Sequence, residues 1–191
     1  MPSPVRSIVP LIVAAVASGV ASYATEGMPQ LSHEVQTQLT AYHINPRLLL
    51  PGLWFGLVTG ALAWRFGRLG LVGGFLSLVA TWIGWQVAVQ AGIATFDRMG
   101  TTNTAENIRL GIAGLAGGAA GALITFLGVR LSVPFRSTLL AFVTTFAIGG
   151  ALGLLLVWSN TGQSAGLLLY ATWQPVVVGI MALFAYRGRQ P

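Results

Sequence analysis

Cysteine and lysine are both missing from this chain of 191 residues. Without cysteine there is no disulfide, no thiolate nucleophile and no Cys-ligated metal, and the redox compartment stays open. Without lysine there is no Schiff-base amine and no P-loop contact to phosphate. Charge of either sign is scarce: Asp, Glu, Lys and Arg together make 7% of the chain, against roughly 25% in a soluble domain. So few charges cannot cover a water-facing surface, so most of the surface must face lipid or other apolar protein. The net charge of +6 comes from ten arginines placed singly. That spacing suits anionic lipid headgroups and points away from nucleic acid.

What is present is apolar. Runs of about 20 such residues cross the hydrocarbon core of a bilayer. Six are found, at 8–24, 48–64, 69–94, 110–129, 137–158 and 165–186. In lipid they must be helices, because an uncovered strand leaves backbone groups unpaired. The reading is an all-α polytopic transmembrane helix bundle, a single domain over 1–191.

Charge sets the expected orientation. With the N-terminus inside, Arg6, Arg65, Arg68, Arg130, Arg136, Arg187 and Arg189 lie inside, and Arg47, Arg98 and Arg109 outside. The excess of inner arginine predicts an N-in/C-in topology. All four acids, Glu26, Glu34, Asp97 and Glu106, fall outside. The first span has a second reading. Arg6, a short apolar stretch and Ser22-Tyr23-Ala24 also fit a cleaved secretory signal, which would leave five spans. Retention agrees with counting Arg6 inside, and with Pro10 in the first turns, where proline is tolerated.

The longest connection is 25–47. Leu31, Val35, Leu39 and Tyr42 recur there at near-helical spacing after Pro29, which fits a short amphipathic helix on the outer surface. An irregular loop fits as well. Two internal repeats compete. Gly60-Ala61-Leu62 before Arg68 and Gly121-Ala122-Leu123 before Arg130 suggest a parallel one. Trp85-Gln86 and Trp173-Gln174 suggest an inverted one.

Small residues four apart are the clearest motif: Gly52, Gly56 and Gly60 in span two, Gly114 and Gly118 in span four, Gly149 and Gly153 in span five. Such faces let backbones approach closely, either within the bundle or against a partner subunit. No Asp, Glu, Lys or His lies inside a span. Proton-coupled pumps and voltage sensors need ionisable groups at depth, so that chemistry is disfavoured. The notable polar residues at depth are Gln86 and Gln174, each beside a tryptophan. An amide in lipid needs a partner: either another helix or a ligand. With Trp82, Trp85 and Trp173 these glutamines form a candidate ligand-binding set. Pro175 should kink span six beside them.

His33, Glu34 and His43 fall on the outer connection, with Asp97 and Glu106 on the next. Histidines ten residues apart match no compact metal motif, so no metal site, catalytic residue or cofactor is assigned. Nothing supplies a nucleophile, and the reading leans away from an enzyme.

The layout resembles the substrate-binding S-components of energy-coupling-factor vitamin transporters. Those are small six-helix proteins with inner termini, a gating outer loop after helix one, and small residues on helix one that dock the coupling subunit. Here 25–47 and Ala14, Ser18 and Ser22 occupy those places. The likeness is one of architecture and implies capture of a neutral small molecule from the outer side, in a bacterial plasma membrane. The alternative is a non-catalytic subunit or assembly factor of a larger membrane complex. Because the chain lacks cysteine, single cysteines report its sidedness. A membrane-impermeant maleimide should label Thr102→Cys in intact cells, and Ser137→Cys only once the membrane is opened; the reverse pattern would invert the topology.

Overall fold

A computed structural model of the chain describes residues 4–26, 46–102, 104–159 and 165–188. Six long helices account for nearly all of them: α1 Pro4–Glu26, α2 Pro46–Phe66, α3 Gly70–Gly100, α4 Glu106–Arg130, α5 Thr138–Gly153 and α6 Ala165–Gly188. The fold is all-α, and all six helices are long and apolar enough to cross a membrane. Most of the 25–47 connection, with His33, Glu34 and His43, lies outside the described residues.

Two helices depart from the expected spans. The third continues past Ala94 to Gly100, and its 31 residues make a rod of about 46 Å, longer than the hydrocarbon core of about 30 Å. The fifth does not run unbroken. After Gly153 the chain tightens into i→i+3 bonds, Leu154 N–H to Ala151 O and Leu155 N–H to Leu152 O, before one more turn at Leu156–Ser159. Gly149, Gly150 and Gly153 weaken this end of the helix, because glycine gives up the most backbone entropy.

The helices form a ring in chain order. Each packs on the next, and α6 closes the ring on α1, while α2 also touches α4 and α6 across the centre. Gly19 meets Tyr170 and Gly179 meets Ile12, so α1 and α6 are antiparallel, with the C-terminal end of α1 beside the N-terminal end of α6. The centre is filled by Phe55, Leu62, Phe126, Val129, Val177 and Met181, all fully buried. At the same end as the termini, the α2–α3 turn is tied to the α4–α5 connection by Arg68 N–H donating to Ser132 O at 2.9 Å. Gly70 takes φ 55°, a left-handed value that glycine adopts without penalty. It lets the chain reverse there.

Two devices hold the seams. The first is close backbone approach. A Cβ at Gly56 would come within 2.9 Å of Leu78 O, and one at Gly60 within 2.9 Å of Gly74 O, so the glycines of α2 face α3. Gly114 faces the Gly153 carbonyl and Gly118 the Gly149 carbonyl, which joins α4 to α5. Gly117 turns toward Ala88 O and Gly128 toward Ala80, which joins α4 to α3. The second device is a buried hydrogen bond between helices. Thr59 and Thr81 share one at 2.8 Å across α2 and α3. Ser77 Oγ donates to Gly128 O across α3 and α4.

On the α1–α6 seam the two devices combine. Pro175 has no N–H to give the Ala171 carbonyl, which opens α6 by one bond. Gly19 of α1 approaches there, and a Cβ on it would stand 2.6 Å from Tyr170 O. One turn on, Ser18 Oγ donates to Gln174 Oε1 at 2.6 Å, and Gln174 Nε2 donates to Ser22 Oγ at 3.0 Å. Ser18 and Ser22 are therefore buried within the bundle, whereas Ala14 is exposed. The glycine seams set the expected response to mutation. Gly118→Val forces a side chain against the Gly149 carbonyl and should cost about 1–3 kcal/mol, read as a lower midpoint of thermal unfolding in detergent. Gly179→Ala meets only Ile12 at ordinary contact distance and should be neutral or slightly stabilising.

Candidate functional site

A cavity of about 460 Å³ lies between α3, α4 and α6, with the end of α5 as its fourth side. It occupies the half of the bundle that holds the α3–α4 turn, opposite the termini. That half is the one the arginine distribution assigns to the outer side.

The cavity exists because five of its lining residues are glycines: Gly92, Gly114, Gly117, Gly118 and Gly153. On α4, Gly114 and Gly118 point at α5 and Gly117 at α3. Beside those contacts α4 lines the cavity largely with backbone, with Leu110 and Ala113 its only side chains in the wall. Facing it are apolar side chains of α3, among them Val89, Ile93 and Phe96, and Leu169 of α6.

Aromatic rings close the deep end. Trp85 of α3 and Tyr170 of α6 pair with ring centroids 5.5 Å apart. Trp173 lies edge-on to Phe55 at 5.4 Å. Its Nε1–H donates to the Gly149 carbonyl at 2.8 Å, which fixes the indole. The Trp85 Nε1 is buried and has no partner among the described residues.

The shallow end is polar. Asp97 is exposed and is the one charged lining residue. Arg109, in the first turn of α4, lays its guanidinium 4.0 Å from the centre of the Phe96 ring. Its Nη2 donates to Phe96 O at 3.1 Å. This satisfies a carbonyl in the last turns of α3, where a cation also suits the helix dipole. The same contact explains Gly100, where a Cβ would stand 2.7 Å from Arg109 Nη2.

Of the candidate ligand set, Trp85 and Trp173 meet at the cavity. Trp82, Gln86 and Gln174 do not line it. Trp82 Nε1–H donates to Leu49 O on the α2–α3 seam, and Gln86 is half-buried on α3. Gln174 is fully buried and turns to α1. Gly52, Gly56 and Gly60 lie on the α2–α3 seam away from the cavity, while Gly114, Gly118 and Gly153 both pack and line. Sequence reasoning missed Tyr170, Phe96, Val89 and Leu169. The available signal was Gly117 beside Gly118, which strips two neighbouring faces of one helix.

Among the described residues no three His, Asp or Glu side chains converge on a metal position. Comparisons with protein-family models, with curated proteins and with solved structures find no match to this chain. Its class is therefore defined by the fold and the cavity. It is a ring of six helices of membrane-spanning length and polarity, compatible with an integral membrane protein, with an apolar chamber in one half.

Proposed function

We propose that this protein binds a small molecule, apolar and uncharged in the part held at depth, in the cavity between α3, α4 and α6 and takes part in its capture or transport. The supporting observation is the chamber itself. At about 460 Å³ it falls in the size range of small-molecule sites, which are mostly apolar with a few polar groups. Its walls are glycine backbone, aliphatic side chains and aromatic rings, with one carboxylate at the rim. A charged ligand would be held at depth without a counter-charge, at a cost that lipid-like surroundings do not offset. A partner-docking role for the glycine faces draws less support, because those of α2, α4 and α5 meet other helices of this same chain.

Native mass spectrometry of gently purified protein tests the proposal. The wild type should carry a small-molecule adduct at one per chain. Leu169→Trp, which places an indole in the chamber, should reduce its occupancy at least tenfold without lowering the midpoint of thermal unfolding. A wild type free of adduct would contradict the proposal, as would a variant that retains it in full.

A further inference from the structure

We infer that the ligand is the single hydrocarbon chain of an amphiphile, lying along α3 with its methyl end at Trp85 and Trp173 and its polar head at the Asp97 rim. The inference rests on the binding role proposed above and adds the ligand's shape and direction.

Length is the first argument. Trp85 and Asp97 both line the cavity. They are twelve residues apart on one continuous helix, which places them about 18 Å apart along its axis. Width is the second. A volume of about 460 Å³ spread over that length gives a mean cross-section of about 25 Å². The space is long and narrow, and one extended hydrocarbon chain follows it from end to end. Capacity agrees with both. A dry apolar cavity of about 150 Å³ takes one benzene, so 460 Å³ takes the bulk of about three, or roughly eighteen carbons.

Polarity gives the direction. At the deep end the Trp173 Nε1–H is already bonded to Gly149 O and the Trp85 ring is tilted against Tyr170, which leaves the buried Trp85 Nε1–H as a single donor. A polar head buried there would meet that one donor and lose most of its bonds to water. At the rim, Asp97 offers an acceptor, and the Arg109 guanidinium lies against Phe96, itself a lining residue. The rim thus offers a polar head charged partners and access to water, which the deep end does not. A chain threaded this way has the amphipathic order of a membrane lipid, head toward the interface and tail toward the middle.

The test is a chain-length series followed by native mass spectrometry from a short-chain detergent. The probes are saturated fatty acids of eight, twelve, sixteen and twenty carbons, the matching lysophosphatidylcholines, and cholesterol as a rigid ring. One chain should bind per protein, sixteen carbons at least tenfold tighter than eight. Whether the free acid or the lysolipid binds tighter identifies the source of the chain. Val89→Trp places an indole one turn above Trp85 and should move the optimum to shorter chains, and Val89→Phe should give an intermediate optimum if the larger substitution fails to fold. Affinity independent of chain length, or tighter binding of cholesterol, would overturn this inference and leave the binding role standing. Failure of every probe, with purified protein free of adduct, would overturn both.

Discussion

Apolar helix faces gain nothing by leaving lipid, because lipid tails are as apolar as leucine. What holds this ring together must therefore be closeness of approach and polar bonds that lipid cannot supply. Glycine provides the first. Where Gly114 and Gly118 face Gly153 and Gly149, backbone lies on backbone. Dispersion rises steeply with proximity, and weak Cα–H bonds add to it. The second device is sparse and local. Gln174 with Ser18 and Ser22, and Thr59 with Thr81, each join helices far apart in sequence at a buried point.

The cavity follows from the same device. A helix stripped of side chains to meet one neighbour is also stripped on the adjoining faces, since successive residues turn by only about 100°. On α4 the glycines that admit α5 adjoin Gly117, which admits α3. Between those contacts few side chains of α4 are left to fill the space, and Trp85, Tyr170 and Trp173 line its deep end. Packing and void thus have one cause. Nearer the other end of the bundle, Phe126, Leu62, Val129 and Met181 fill the centre. The broken end of α5 lies beside the chamber, with Gly153 and Leu156 both in its wall. Interrupted helices are where membrane proteins place irregular backbone that lines a cavity.

Much of the fold was legible in the sequence because the bilayer leaves so few choices. Length and polarity alone locate the spans, and Gly56 and Gly60 announce a close seam on α2. Which seam they make was not legible, because a small-residue face reads the same against any partner. Gln174 shows this well. Its need for a hydrogen bond was clear, yet its partners lie more than 150 residues away in sequence, and only the ring closure of α1 on α6 brings them together. The candidate site was legible in part. Trp85 and Trp173 stood out as the aromatics beside Gln86 and Gln174. Tyr170 and Phe96 did not, because their role depends on how α3 and α6 are juxtaposed. The continuation of α3 to Gly100 was missed because Thr95, Asp97 and Arg98 break the apolar run while the backbone stays helical.

The central claim is that glycine packing leaves an apolar chamber in one half of the bundle. Xenon is the most direct probe, since it enters apolar cavities without needing a hydrogen bond. A crystal of the protein held under xenon pressure should show ordered xenon beside Trp173 and Gly117. An intact ring with no xenon there, and with Leu169 or Val89 closed onto the α4 glycines, would contradict the account.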